Sequence, residues 1–205
     1  MRRSLLALAV ALAAAAPALA QTADETNCAG DDPQTKLAAC TALIEAGQEE
    51  TANQAVAYDN RSIAYRRQGQ LDKATQDAGK AIELDPTSAP AWLDRGIAYY
   101  AAKKYDLAIA DFSKVIAIKP NYAAAYNDRG NAYDETGKHD LAIADYSHAL
   151  VVNPDYAEAY ANRASAYEEK GFNDYAISDY RAALRLDPNL PQARTGLKRL
   201  GSNAP

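Results

Sequence analysis

From Ala55 onward, small, aromatic and charged positions recur in a fixed order every 34 residues, with Pro86, Pro120, Pro154 and Pro188 as markers. With the units aligned on Ala55, Ala89, Ala123 and Ala157, the fourth place is aromatic (Tyr58, Trp92, Tyr126, Tyr160) and the eleventh is Tyr65, Tyr99, Tyr133 and Tyr167. The eighth is small (Ser62, Gly96, Gly130, Ala164), and the twentieth is Ala74, Ala108, Ala142 and Ala176. The twenty-fourth holds Ala78, Phe112, Tyr146 and Tyr180, and the twenty-seventh Ala81, Val115, Ala149 and Ala183. A repeat of this length cannot bury its apolar face alone, so successive units must stack. The columns predict two antiparallel helices per unit. Small residues let the two backbones approach, and the aromatics fill the space beside them. Gly69, Gly137 and Gly171 suit the left-handed turn that ends the first helix, with Lys103 departing from the pattern. Each proline ends the second helix and steers the chain into the next unit.

A charged column accompanies the apolar ones. The seventh place is Arg61, Arg95, Arg129 and Arg163, and sixteen residues later stand Asp77, Asp111, Asp145 and Asp179. The two places fall on opposite helices of one hairpin, near the packed seam. They predict one Arg–Asp pair per unit, with the arginine stem lying along the seam. A row of arginines that binds anions is the alternative; an aspartate matched to every arginine argues against it.

The chain before Ala55 follows other rules. Arg2 and Arg3 precede an apolar stretch from Leu5 to Ala16, Pro17 breaks it, and Ala18-Leu19-Ala20 offers a cleavage site before Gln21. Residues 1–20 therefore read as a secretory signal peptide. The apolar run is shorter than the roughly 20 residues of a bilayer span, so no integral membrane span is expected after cleavage. The protein is expected to be exported to a periplasm or secreted. In an oxidising compartment the only two cysteines, Cys28 and Cys40, favour pairing as a structural disulfide within the N-terminal segment 21–54. A redox-active pair is the alternative, but the spacing is not C-x-x-C. Asp31 or Asp32 can cap a helix that has Pro33 at its first position and Gly47 near its end. Cys40 falls on that helix and Cys28 in the segment leading into it.

Composition narrows the function classes. The chain has 205 residues, 48% hydrophobic and 24% charged, enough for a packed core. Its 14 tyrosines against 2 Phe and 1 Trp are largely explained by the repeat columns. Net charge is −5, or −7 once Arg2 and Arg3 leave with the leader, and no Lys/Arg-rich run occurs, which speaks against nucleic acid. Two Cys and two His leave little stock for a metal site, and no cofactor is expected. No nucleophile–base–orienter set can be assembled, so no enzyme is expected. His139 and His148 occupy columns filled elsewhere by other residues and read as partly exposed packing groups. Asn60-Arg61-Ser62 matches the N-glycosylation pattern but falls inside a predicted helix.

Strings such as AYNDRGNAYDETGKHDLAIADYSHALVVNP and AYANRASAYEEKGFNDYAISDYRAALRLDP resemble the tetratricopeptide repeat family. The resemblance implies an all-α fold, an α-solenoid of helix-turn-helix repeats wound into a right-handed superhelix. Its units would be 55–88, 89–122, 123–156 and 157–190, followed by a C-terminal capping helix and tail over 191–205. Residues 33–47 look like a lone second helix, with Cys40 where the repeats place alanine. The family binds protein segments on the concave side formed by the first helices. Its groove-facing places correspond here to Asp59, Asn60, Arg66, Asp94, Tyr100, Asn127, Asp128, Asn131, Asp134, Asn162 and Glu168. Amides there can pair with the backbone of an extended peptide, and the acidic balance favours a neutral or basic segment. The family's clamp for a C-terminal carboxylate is not reproduced. Asp59 and Ile63 stand where Lys and Asn are wanted, Asp94 at the next Asn place, and Ala124 and Asp128 at the last basic places. The expected function is a non-catalytic interaction scaffold or adaptor of the cell envelope. An accessory subunit of a cell-wall-remodelling enzyme and a self-associating module are the alternatives.

Overall fold

A computed structural model describes residues 23–47 and 51–202. The leader reading for residues 1–20 lies outside these residues. The described residues form α1 (Ala23–Ala29), α2 (Pro33–Ala46), α3 (Thr51–Arg67), α4 (Leu71–Leu84), α5 (Ala89–Ala101), α6 (Tyr105–Ile118), α7 (Ala123–Glu135), α8 (His139–Val152), α9 (Ala157–Glu169), α10 (Asn173–Leu186) and α11 (Pro191–Arg199). The predicted hairpins are α3–α4, α5–α6, α7–α8 and α9–α10, each packed against the next. None of these helices is long and apolar enough to cross a membrane.

Local chemistry sets the boundaries. Asp32 caps α2 by accepting from the Thr35 N–H at 2.7 Å, Pro33 opens the helix, and Gly47 closes it at φ 61°. Between the hairpin helices, Gly69, Gly137 and Gly171 take φ of 74°, 72° and 76°. Lys103 makes the same turn at φ 58°, a conformation that costs a residue with a Cβ about 1 kcal/mol.

The seams show why the small columns are small. A Cβ added at Gly96 would lie 2.7 Å from the Phe112 ring, and one at Gly130 2.7 Å from the Tyr146 ring. The aromatic of the second helix thus lies directly on the backbone of the first. α11 closes the last seam in the same way: Ala193, Gly196 and Leu197 are buried, and Gly196 lies against the Tyr180 ring.

Each expected Arg–Asp pair forms as a two-pronged contact. Arg129 donates from Nε to Asp145 Oδ2 at 2.7 Å and from Nη2 to Oδ1 at 2.8 Å, and Arg61, Arg95 and Arg163 repeat the geometry on Asp77, Asp111 and Asp179. The four aspartates are buried. The guanidinium also lies between two rings of its own helix, for example 5.8 Å from the centroids of both Tyr126 and Tyr133. Three residues before and four after the arginine put both rings on its face. The aromatic columns therefore flank the charge as well as fill the seam.

A third contact ties neighbouring units. Arg129 Nη1 donates to Ser113 Oγ at 3.0 Å and Arg163 Nη1 to Ser147 Oγ at 2.9 Å, each serine belonging to the preceding hairpin. Arg61 Nη1 reaches Thr41 Oγ1 at 3.3 Å on α2, but across 20 residues rather than the 16 of the later pairs. α2 is therefore displaced by four residues from the repeat register. Cys40 stands not in the alanine column, as the sequence period suggests, but where Phe112, Tyr146 and Tyr180 stand later.

Cys28, in the segment leading into α2, lies on a short helix of its own, α1. Seven residues are too few to hold a helix in water. The Cys28–Cys40 disulfide, with Cα atoms 4.8 Å apart and both cysteines buried, anchors α1 to α2.

Curvature follows from which helices meet. α3 touches α5, α5 touches α7 and α7 touches α9, whereas the described second helices α4, α6, α8 and α10 make no contact with one another. The first helices crowd the inside of the bend and the second helices splay outside. The concave wall therefore consists of α3, α5, α7 and α9.

Candidate functional site

The concave wall is polar along its length, but its charges are distributed unevenly. Near the N-terminal end, Lys36 of α2 donates to Asn60 Oδ1 at 3.3 Å, and Arg66 reaches Asp94 at 3.4 Å. Asp59 lies beside them with its Oδ1 buried and accepting no hydrogen bond from the protein. Burial, reinforced by Asp94 and only partly offset by Lys36, pushes the Asp59 carboxyl up to about 7. Burial raises Asp94 as well, against the pull of Arg66.

At the centre, Asn127 is buried and bridges helices. Its Oδ1 accepts from Asn162 at 3.0 Å, and its own amide donates to Asp128 at 3.3 Å. Burial pushes Asp128 up to about 6, with only the Asn127 amide opposing. Asn131 accepts from the buried Tyr146 hydroxyl at 2.8 Å, and burial raises the pKa of that phenol. Tyr100 spans the step between α5 and α7. Its hydroxyl donates to Glu135 at 3.4 Å, and burial with the Glu135 charge pushes it up to about 12. Asp134 is held by His139 at 2.6 Å. The second histidine, His148, lies exposed on α8 and stacks on Tyr126.

The C-terminal end is closed by α11. Gln192 donates to Asn162 Oδ1 and Ser165 Oγ, both at 3.1 Å, and Arg199 grips Glu168 at 2.5 and 2.7 Å. The Arg199 bonds hold the Glu168 carboxyl below its usual range. Lys36, Glu135, Ser165, Gln192 and Arg199 join the groove without having been singled out from the sequence. Lys36, Gln192 and Arg199 come from flanking helices outside the repeat columns. Glu135 and Ser165 do occupy groove-facing places, the thirteenth and the ninth, and that position was their available signal.

Two cavities open on this wall. One, of about 160 Å³, is lined by Ile97, Tyr100, Phe112, Asp128 and Asn131. The other, of about 320 Å³, shares Tyr100 and Asn131 and adds Asp134, Glu135, Tyr146, Asn162, Ser165 and Gln192. The structure thus gathers Tyr100, Asp128, Asn131, Asp134 and Asn162 at one place. Asp59, Asn60, Arg66 and Asp94 form a separate cluster, and Glu168 is engaged by the terminal helix.

Stacked helical hairpins with a continuous concave wall define a protein-interaction solenoid. Models of the tetratricopeptide repeat match residues 64–103, 89–122, 112–144, 130–171 and 157–190, together spanning most of the chain. The chain belongs to the tetratricopeptide repeat family. A crystal structure of MamA is similar at a TM-score of 0.73 and 26% identity, over 83% of this chain and 97% of that one. The first TPR of Spaghetti (RPAP3) bound to the HSP90 peptide SRMEEVD matches at 0.55 and 28%, over 57% of this chain and 93% of that one. The Arabidopsis OM64 TPR domain matches at 0.55 and 26%, over 56% and 94%. A comparison with curated proteins finds no match.

Proposed function

We propose that this protein is a non-catalytic scaffold of the cell envelope that binds an extended peptide or protein segment along α3, α5, α7 and α9. The observation that carries this reading is the continuous polar inner wall, where amides, carboxylates and Tyr100 line two open cavities. Amides and hydroxyls satisfy the backbone of an extended chain, which has no partner of its own. Carboxylates at Asp59, Asp94 and Asp128 favour a neutral or basic segment over an acidic tail such as the one in the RPAP3 complex. The Cys28–Cys40 disulfide supports an oxidising compartment, consistent with export to a periplasm.

Capture from an envelope extract tests the reading. Wild-type protein is compared with Tyr100→Ala/Asp134→Ala on the inner wall and with Leu141→Ser, 49% exposed on the outer helix α8. The inner-wall variant should lose partners that the outer variant keeps. Equal recovery of the same partners by all three would place binding elsewhere.

A further inference from the structure

We propose that the groove contains a subsite for one basic side chain, a lysine or arginine of the bound segment, seated against Asp128 between α5 and α7. The inference rests on the groove-binding reading and names the chemistry recognised at its centre.

Asp128 differs from most carboxylates of the inner wall, which have a basic side chain or a hydroxyl beside them. Asp94 has Arg66, Asp134 has His139, Glu168 has Arg199, and Glu135 accepts from Tyr100 and Tyr105. Asp59 lies within the field of Lys36. Asp128 is half-buried, yet its hydrogen-bond partner is the amide of the adjacent residue, and among the described residues no cation pairs with it. A carboxylate in that setting costs the folded chain free energy that an arriving cation would return.

The cavity in front of it has the shape and polarity for such a group. At about 160 Å³ it is smaller than the roughly 300–1,000 Å³ of small-molecule sites, and so is scaled to one side chain. Ile97 and Phe112 supply apolar lining for a methylene stem, and Tyr100 adds an aromatic ring to the lining for the cationic head. Asn131 spends its oxygen on Tyr146, which leaves its amide N–H groups free to donate to a backbone carbonyl. The adjoining cavity continues the track along Asn162, Ser165 and Gln192.

Selection from a random peptide display library on the purified protein tests this. Selected peptides should carry Lys or Arg at one fixed position. On Asp128→Asn that preference should vanish while preferences at other positions persist. With a synthetic selected peptide, Asp128→Asn and Lys→norleucine in the peptide should each weaken binding about tenfold, and together little further. Asp128→Asn keeps the side-chain shape and removes an uncompensated charge, so its melting temperature should equal or exceed the wild type's, which separates lost recognition from lost folding. Selected peptides without a basic position, or a basic preference unchanged in Asp128→Asn, would overturn the subsite and leave the groove reading intact. Failure to select any peptide displaced by Tyr100→Ala/Asp134→Ala would overturn both.

Discussion

The contact between neighbouring units supplies a test of the physical account. Ser113 and Ser147 each donate to the carbonyl four residues back, at 2.7 Å, and accept from the arginine of the next hairpin. Thr41 does the same, donating to Leu37 at 2.8 Å and accepting from Arg61. The equivalent place facing Arg95 is Gly79, inside α4, and a Cβ built there would meet Arg95 Nη1 at 3.8 Å, ordinary van der Waals contact. Gly79→Ser should therefore restore the missing bond without a clash. Replacing a mid-helix glycine by serine contributes about 0.5 kcal/mol through backbone entropy. A hydrogen bond to a partly exposed guanidinium adds about 1 kcal/mol. The sum, about 1.5 kcal/mol, corresponds to a rise of about 3–6 °C in melting temperature for a chain of this size. Gly79→Ala is the control, because alanine has the better helix propensity and no hydroxyl. It should stabilise by about 1 kcal/mol, leaving serine ahead by about 0.5 kcal/mol. Denaturant unfolding followed by circular dichroism measures both variants. A serine variant about 0.5 kcal/mol less stable than the alanine variant, the deficit that propensity alone gives, would show that the hydroxyl–arginine contact contributes nothing to joining units.

Four other outcomes follow from the same geometry. Asp145→Ala leaves Arg129 with Ser113 and two rings but without its carboxylate, and should destabilise by about 3 kcal/mol in urea titration; an unchanged midpoint would refute the structural role of the pair. Lys103→Gly relieves a positive φ and should raise stability by about 1 kcal/mol, measured by thermal melting, with no gain counting against strain at that turn. Asp59 and Asp128, held near 7 and 6 by burial, bind their protons more tightly folded than unfolded, so their ionisation favours unfolding. Stability should be greatest near pH 5 and fall toward pH 8 by on the order of 2 kcal/mol; Asp32, Asp85 and Glu168, shifted downward, lose their contribution only at lower pH. Reducing the disulfide should release α1 while α3 to α11 persist, seen as hydrogen exchange rising selectively over residues 23–29.

The repeating hairpins were legible because their packing demands recur. Gly130 beneath Tyr146 and Asp145 beside Arg129 leave the same letters at the same spacing in each unit. The arginine between two rings was equally open to reading, since places four, seven and eleven share one helix face, yet those tyrosines passed as seam fillers alone. The N-terminal segment hid more. α1 is too short to form on its own and is tied down by a cross-link, so no propensity announces it, and the four-residue displacement of α2 becomes visible only where Thr41 meets Arg61. The groove was legible wherever repeat helices form it. Its ends were not, because Lys36, Gln192 and Arg199 belong to helices outside the period. Nor does a column position reveal that Asn127 turns inward to bridge α7 and α9, whereas Asp128 beside it keeps a charge without a cation.

The serine-to-arginine bond between units also makes the array divisible. If residues 123–156 were excised, Ser113 would face Arg163, and the new junction would repeat the bond that Ser147 makes now. A chain lengthened or shortened by a whole period keeps this bond where Ser113 or Ser147 meets the arginine of a following hairpin, and lacks it where Gly79 stands at the junction. Groove length can therefore change in steps of one hairpin at the serine-bearing junctions, provided α2 stays at one end and α9, α10 and α11 stay together at the other.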